Sequence, residues 1–277
     1  MDSTLYRLAA FTTHPSGGNP AGVWLGDRLP DAATMQRIAA EVGYSETAFI
    51  APRTGTARTI RYYSPEAEVS FCGHATIAAG VVLGRTTGAG DYQLSTTVGT
   101  VPVTVREREG KLEASLVSVA TRHQPVSEAL LTEVLACLGW SRDDLDPGLP
   151  PARAYGGAWH LVLAVATEER LNRLEYDFER LKALMQRERL TTLQLVYRKR
   201  EQLFHARNPF PVGGVIEDPA TGAAAAALGG YLRDAGLVTT PMSLLIRQGE
   251  AMGRPSLLRV EIPADGGIVV TGDAVDI

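Results

Sequence analysis

Residues 73–83 read GHATIAAGVVL, and residues 221–232 read TGAAAAALGGYL. Both stretches predict a helix that opens near a glycine and is apolar on every side. Such a helix buries its whole surface only where a β-sheet curls around it. Each stretch therefore predicts a central helix wrapped by strands.

The segments before the two helices also correspond. Residues 61–65, RYYSP, precede the first helix, and residues 205–209, HARNP, precede the second. The prolines of these segments lie 144 positions apart, and the opening glycines, Gly73 and Gly222, lie 149 positions apart. Because this spacing is close to half of the 277 residues, it predicts an internal duplication.

We therefore expect an α+β protein of two similar domains, each a curled, barrel-like sheet around its apolar helix. Residues 1–118 are predicted to form the N-terminal domain and residues 119–265 the C-terminal domain. A last strand, from about 266–277, is expected to pack back onto the first domain. Two such domains would leave a cleft that both helix starts are able to face.

Two helices outside these cores are predicted from caps and periodicity. Asp31 and Gly43 are placed to cap a helix that carries Met35 and Ala39 on one face. A charged amphipathic helix is predicted near Glu168–Arg187.

Composition excludes several classes of function. Lysine and arginine number 27 against 31 aspartates and glutamates, so the net charge of −4 does not favour nucleic-acid binding. The apolar stretches fall short of the roughly 20 residues that span a bilayer, and the N-terminus lacks a signal-peptide layout. Two cysteines, Cys72 and Cys137, give no disulfide framework, which favours the cytosol. The histidines are scattered, and no His/Cys/carboxylate spacing indicates zinc.

Glu46 stands just before an apolar strand predicted at Thr47–Ala51. Desolvating neighbours raise the pKa of a carboxyl group, which suits a base that takes and returns a proton near neutral pH. The alternative is a solvated glutamate at a strand end, and the local sequence leaves both interpretations open.

The segment FCGHA, residues 71–75, leads into the first central helix. The free amides of a helix start bind a carboxylate, and Gly73 lets a ligand approach the backbone closely. His74 is either a proton donor or relay for the substrate or a cap of its own helix. Cys72 is either a thiolate base, because a helix N-terminus lowers the pKa of a thiol, or a packing residue.

The segment EDPATGA, which contains Asp218, leads into the second central helix. Aspartate followed by proline is an ordinary helix opening, with the aspartate as N-cap. The alternative is an acid that faces the cleft opposite Glu46. The amides of Gly222 and Ala223 would then offer a second anion site.

The turn GGNP, residues 17–20, lacks the Gly-Lys-Ser/Thr ending of a phosphate loop. It indicates a turn, from which Asn19 is able to reach the cleft as a hydrogen-bonding group. The connection that begins at Gln248-Gly249 carries no local sign of function.

Together these segments resemble the phenazine-biosynthesis PhzF-like isomerase family. The resemblance spans nearly the whole chain, from Leu5 to about Gly272, and the motifs follow the family's order. These motifs are GNPAGV (18–23), SETAF (45–49), IRYYSP (60–65), CGHAT (72–76), EDPATG (217–222), QG (248–249) and MGR (252–254).

The resemblance implies a diaminopimelate-epimerase-like fold with an active site in the interdomain cleft and with neither a metal nor an organic cofactor. It implies that Glu46 is the general base that moves a proton on a small carboxylate-bearing substrate, assisted by His74 and Asp218. It also implies a homodimer. The substrate-binding residues that it implies are Asn19, Ser45, Gly73, Gly222 and Ala223.

Two departures keep other hypotheses open. Ala223 stands where the family usually has serine, so a hydroxyl is missing, and a small-molecule-binding protein with an incomplete catalytic set is one alternative. Cys72 resembles a cysteine of the related proline-racemase group, and a Cys72-dependent epimerase is another. A racemase with two thiols is disfavoured because the second half has Asp218, and no cysteine, in the matching segment.

Overall fold

The computed structural model describes residues 3–277, which divide into two units. The first unit comprises the residues up to Val117 together with Thr271–Ile277. The second unit comprises Ser118–Val270. Each is an α+β structure whose strands surround one apolar helix.

The first unit is a closed barrel with a helix at its centre. Its helices are α1 (Ala32–Val42) and α2 (Gly73–Thr87). Its strands are β1 (Thr4–Ala10), β2 (Asn19–Leu25), β3 (Glu46–Pro52), β4 (Ala57–Tyr63), β5 (Glu68–Val69), β6 (Gly90–Thr96), β7 (Gly99–Arg108), β8 (Lys111–Val117) and the C-terminal strand (Val269–Asp276). All but the short β5 follow one another around the barrel, which the C-terminal strand closes by pairing with β1.

The centre of this barrel is α2, which is buried without interruption from His74 to Gly84. Its glycines let the wall of strands approach the helix backbone. A Cβ atom on Gly80 would lie 2.7 Å from Cβ of Ala114, and one on Gly84 would lie 2.7 Å from Cγ1 of Val105. The predicted central helix is confirmed, and its small residues set the distance between helix and sheet.

The caps predicted for α1 are also present. Asp31 accepts a hydrogen bond from the amide of Thr34 at 2.8 Å, which satisfies one of the free amides at the helix start. Gly43 ends the helix with a φ of 71°, in the left-handed region that favours glycine.

The second unit repeats the plan around α6 (Gly222–Asp234). Its other helices are α3 (Glu128–Leu138), α4 (Glu168–Asn172) and α5 (Phe178–Glu188). Its strands are β9 (Arg122–Pro125), β10 (Ala152–Tyr155), β11 (Trp159–Ala164), β12 (Thr192–Arg200), β13 (Leu203–Arg207), β14 (Pro209–Phe210), β15 (Val215–Glu217), β16 (Met242–Gln248) and β17 (Ser256–Ile262). The main sheet runs β17-β16-β13-β12-β11-β10-β9, and β14 pairs with β15 separately.

The single helix predicted near Glu168–Arg187 is wrong, because the structure has two helices, α4 and α5, in that region. Asp177 begins α5 as its N-cap, accepting a hydrogen bond from the amide of Arg180 at 3.1 Å. Between the helices, Leu174 and Tyr176 pack against the core that α3 and α5 form with the sheet. These apolar residues continue the apolar pattern of the sequence between the two helices. The periodicity of that pattern therefore did not reveal where the helix is interrupted.

Four polar side chains are fully enclosed in the second unit: His160, Thr192, Gln194 and Asn208. Nδ1 of His160 lies 2.8 Å from the hydroxyl of Thr192, and the Asn208 amide donates to Gln194 at 2.5 Å. Burial removes the imidazole of His160 from solvent, which disfavours its charged form and lowers its pKa to about 3.

This buried imidazole predicts a pH-dependent loss of stability. The unfolded chain takes up a proton on His160 below pH of about 6.5, whereas the folded chain does not until about pH 3. The free energy of unfolding should therefore fall, by about 1.4 kcal/mol per pH unit at most, as the pH drops through that window. Urea unfolding between pH 7 and pH 4.5 should show a shallower decline for His160→Gln than for wild type. The exposed His14→Gln should match wild type, and equal slopes for all three proteins would contradict the prediction.

Candidate functional site

Glu46 is the first residue of β3, at the point where the chain enters the barrel wall. The next five residues of the strand are buried, and β3 runs parallel to β2 with Glu46 opposite Ala21. The side chain of Glu46 is only 17% exposed. Glu46 is therefore at a strand end, but most of its side chain is shielded from solvent.

Cys72 and His74 flank the first residue of α2. Cys72 occupies the N-cap position in an extended conformation, and His74 lies in the first turn. Both side chains are buried, because the start of α2 is already inside the barrel.

The three side chains contact one another in a triangle. Sγ of Cys72 lies 3.5 Å from Oε2 of Glu46 and 3.3 Å from Nδ1 of His74. Nε2 of His74 lies 3.4 Å from the same Glu46 oxygen and 3.4 Å from the hydroxyl of Ser45. Within residues 3–277, α2 has no side-chain cap, so the alternative that His74 caps its own helix is wrong.

A buried chain of hydrogen bonds connects Cys72, one member of this triangle, to strand β4. The hydroxyl of Thr76 donates to the carbonyl of Cys72 at 2.6 Å and contacts the hydroxyl of Tyr62 at 2.7 Å. Burial raises the pKa of Tyr62, so its phenol stays protonated. Helix α2 and strand β4 thereby hold the backbone of Cys72 in place.

Asp218 lies in the second unit, before α6. The interpretation of Asp218 as the N-cap is wrong, because the helix begins at Gly222 and Thr221 occupies the N-cap position. Instead, the hydroxyl of Thr221 donates to Oδ2 of Asp218 at 2.6 Å. The carboxylate is therefore held by the loop rather than used to cap the helix.

Gln248 holds this loop in place, a role that no sequence pattern beyond the pair Gln248-Gly249 indicates. Its side-chain amide donates to the carbonyl of Asp218 at 2.7 Å and to the hydroxyl of Thr221 at 3.0 Å. Its carbonyl oxygen accepts from the amide of Thr221 at 3.3 Å. Gly249 makes the approach possible, since a Cβ atom there would lie 2.8 Å from the carbonyl oxygen of Pro219.

The remaining candidates fall into the same two groups. Asn19, Ser45 and Gly73 belong to the first unit, with Asn19 buried at the start of β2. Gly222 and Ala223 are the first two residues of α6 in the second unit. The structure thus brings Ser45, Glu46, Cys72, Gly73 and His74 together at the start of α2.

The triangle also collects three side chains of metal-binding type. The ligand atoms of Glu46, Cys72 and His74 all lie within 4.8 Å of one another. The spacing of these residues in the sequence does not indicate a zinc site, because Glu46 reaches the other two only through the packing of β3 against α2.

Across the described residues, 3–277, the helices are too short or too polar for any of them to cross a membrane.

Two helix-centred sheets, the first with the titratable side chains of Glu46, Cys72 and His74 at the start of its helix, define the epimerase-like fold class. The model of the family described as phenazine biosynthesis-like protein (PhzC-PhzF) matches residues 8–277, and the chain belongs to this family. The predicted resemblance and the predicted fold class are confirmed.

Relatives are found among curated proteins and solved structures. An uncharacterized isomerase of Deinococcus radiodurans is 35% identical over 272 residues, covering 94% of this chain and 87% of that protein. The trans-2,3-dihydro-3-hydroxyanthranilate isomerase of Pseudomonas fluorescens is 31% identical over 257 residues, covering 91% and 87%. The crystal structure of a Bacillus anthracis phenazine biosynthesis protein of the PhzF family has the same fold, with a TM-score of 0.88 at 24% identity and coverage of 100% and 98%. The chain is therefore an isomerase of this family.

Proposed function

We propose that this isomerase moves a proton between carbon atoms of a small carboxylate-bearing substrate, with Glu46 as the general base. One observation carries the proposal. The Glu46 carboxylate lies 3.5 Å from the thiol of Cys72 and 3.4 Å from Nε2 of His74, beside the amides that begin α2. An acceptor of protons is thereby placed next to a donor and an anion-binding helix start.

In the proposed reaction, an oxygen of Glu46 takes a proton from a substrate carbon, and the C–H electron pair becomes a resonance-stabilised anion. The glutamic acid then returns the proton to a second carbon, so no proton is gained or lost overall. The amides of Gly73 and His74 hydrogen-bond the negative charge that forms. Because these amides are fixed before the reaction, they stabilise the anion without reorganising.

His74 assists as a proton donor or relay in this proposal. Its Nε2 atom contacts both the Glu46 carboxylate and the Ser45 hydroxyl at 3.4 Å. Two neighbouring groups are thus placed to accept a proton from the imidazole. Ser45 and Asn19 are proposed to bind the substrate through hydrogen bonds.

The second unit is proposed to contribute Asp218 as a further donor or relay. Gln248 and Thr221 restrain the loop that carries this carboxylate, which supports a fixed position for it. The amides of Gly222 and Ala223 are proposed to bind an anionic group, because the side chain of Thr221, at the N-cap position of α6, makes no capping hydrogen bond. Ala223 supplies an amide but no hydroxyl.

The relatives named trans-2,3-dihydro-3-hydroxyanthranilate isomerase suggest the substrate class. We propose a small cyclic carboxylic acid, handled without a metal or organic cofactor in catalysis. The test is NMR in deuterium oxide with the wild-type protein and a panel of such acids, including the one that those relatives are named for. We expect at least one acid to isomerise with deuterium at the carbon that receives the proton. Deuterium at the receiving carbon would show that the proton exchanges with solvent while Glu46 holds it, and isomerisation of the same acid by Glu46→Gln at the wild-type rate would contradict the proposal.

A second candidate is an epimerase in which Cys72 is an acid or base, and the contact between Sγ and Glu46 favours it. Cys72→Ser decides between the two, because a hydroxyl keeps the volume but is a much weaker acid than a thiol. The Glu46 mechanism predicts that the variant keeps turnover within about tenfold of wild type, whereas a thiol base predicts a loss of about 100-fold or more.

The homodimer and the cytosolic location stay predictions. Light scattering on the purified protein tests the first, because a dimer has twice the 29.7 kDa mass of one chain.

A further inference from the structure

We propose that Asn208 is a positioning residue for the reaction and acts through Asp218. Asn208 belongs to the group of four enclosed polar side chains in the second unit, and its backbone contacts the loop that carries Asp218. The inference rests on the proposed role of Asp218 as a proton donor or relay.

The backbone of Asn208 holds the backbone of Asp218. The carbonyl oxygen of Asn208 accepts a hydrogen bond from the amide of Asp218 at 3.0 Å, and the adjacent residues Pro209 and Glu217 are partners where β14 pairs with β15. The carbonyl oxygen of Asp218 accepts from Gln248 at 2.7 Å. Both peptide groups of Asp218 are therefore held, one by Asn208 and the other by Gln248.

The side chain of Asn208 anchors this backbone contact to the main sheet of the second unit. Its amide nitrogen donates to Oε1 of Gln194 at 2.5 Å and to the hydroxyl of Thr192 at 3.3 Å, and both acceptors are on β12. An asparagine amide carries two N–H groups, so it is able to make both bonds. Thr192 in turn contacts Nδ1 of His160 on β11 at 2.8 Å. The side chain of Asn208 is thereby tied to two neighbouring strands.

The polar character of these four residues favours a role in positioning rather than in stability. Apolar side chains of similar volume would fill the same space without buried polar atoms that need partners. Hydrogen bonds, in contrast, depend on distance and direction, so they hold a backbone segment at one position. The backbone segment held here is the one that contacts Asp218.

Loss of this anchor should slow the reaction. Asn208→Leu removes both donors at similar volume and releases the carbonyl that holds the Asp218 amide. Because a displacement of about 1 Å is enough to cost about 100-fold in rate, we expect kcat to fall by about tenfold or more. The KM should stay within about threefold of wild type, because Asp218 is proposed to move a proton rather than to bind the substrate.

The matched control is Leu193→Ala. Leu193 lies between Thr192 and Gln194 on β12, but its side chain is on the opposite face of the strand, in the core that α3 and α5 form with the sheet. Its truncation should destabilise the second unit in urea and leave kcat unchanged. A loss of kcat equal to that of Asn208→Leu would attribute the effect to general destabilisation and overturn the inference.

The decisive experiment is a double-mutant cycle of Asn208→Leu and Asp218→Asn, with kcat measured on the substrate found in the panel. Asparagine at position 218 keeps an oxygen for the hydroxyl of Thr221 but carries no acidic proton. The double variant should be within about twofold of Asp218→Asn alone, because the anchor acts only through the Asp218 carboxylate. Urea unfolding should show the same destabilisation by Asn208→Leu in both backgrounds. Losses of kcat that multiply, or a wild-type kcat in a folded Asn208→Leu protein, would overturn the inference.

Thr192→Val guards against an Asn208 variant that fails to fold. It removes one acceptor of the Asn208 amide and leaves the bond to Gln194, so it should cause a smaller loss of kcat that also disappears in the Asp218→Asn background. If Asn208→Leu does not fold, a wild-type kcat in Thr192→Val overturns the inference.

Failure of this inference is distinguishable from failure of the proposed function. An impaired Asp218→Asn together with a fully active Asn208→Leu overturns only the positioning role of Asn208. A fully active Asp218→Asn overturns the role of Asp218 and this inference with it, and leaves Glu46 as the base to be tested separately.

Discussion

Replacing Glu46 with glutamine should lower kcat/KM by about 10³-fold, equivalent to about 4 kcal/mol of transition-state stabilisation. The amide has nearly the same shape as the carboxylate but takes no proton at neutral pH. Glu46 is at the first position of β3, so the barrel around α2 should fold as in wild type. Steady-state kinetics on the substrate found in the panel measure the effect, with circular dichroism to verify the fold.

The matched control for this prediction is Glu41→Gln. Glu41 lies near Glu46 in sequence, but its side chain is 63% exposed and pairs with Arg37 at 2.6 Å on the surface of α1. Its replacement removes the same charge away from the cluster and should leave kcat/KM unchanged. A Glu46→Gln protein within threefold of the control would show that another group is the base.

Replacing Arg207 with leucine should cost about 3–5 kcal/mol of unfolding free energy, because it leaves a buried charge without its partner. The Arg207 side chain is 13% exposed and that of Glu217 is 5% exposed. The pair is bidentate, because two guanidinium nitrogens of Arg207 each donate a hydrogen bond to one carboxylate oxygen of Glu217. Arg207 also donates to the carbonyls of Leu171 and Asn172 at 3.3 and 3.1 Å. Urea unfolding measures the loss.

The double variant Arg207→Met with Glu217→Gln separates the buried charge from the packing. It removes both charges at similar volume, so it should be more stable than Arg207→Leu. Arg37→Ala, which breaks the exposed pair on α1, should have almost no effect. A stability of Arg207→Leu equal to that of wild type would mean that the pair does not hold the segment before Asp218.

Much of the fold was predictable because it depends on local patterns. The all-apolar stretches that became α2 and α6 require an enclosing sheet wherever they occur, and their repeat revealed two similar units. The cap residues of α1 act within a few positions of one another, so the sequence also predicted its ends.

The parts that could not be predicted depend on contacts between distant segments. Glu46 meets Cys72 and His74 only after β3 packs against α2, so neither the triangle nor its metal-binding donor set was visible in the spacing. Likewise, Gln248 reaches Asp218 from a strand that follows α6. Asp218 has the local sequence of an N-cap, but its loop continues to Thr221 before the helix begins.

The central claim, that Glu46 carries the proton, is tested most directly by hydrogen–deuterium exchange at the substrate's reacting C–H bond in deuterium oxide. Wild type, Glu46→Gln and Glu41→Gln should be followed side by side by NMR at saturating substrate. We expect wild type and Glu41→Gln to label the carbon at equal rates and Glu46→Gln to label it about 10³-fold more slowly. Labelling by Glu46→Gln at the wild-type rate would contradict the account.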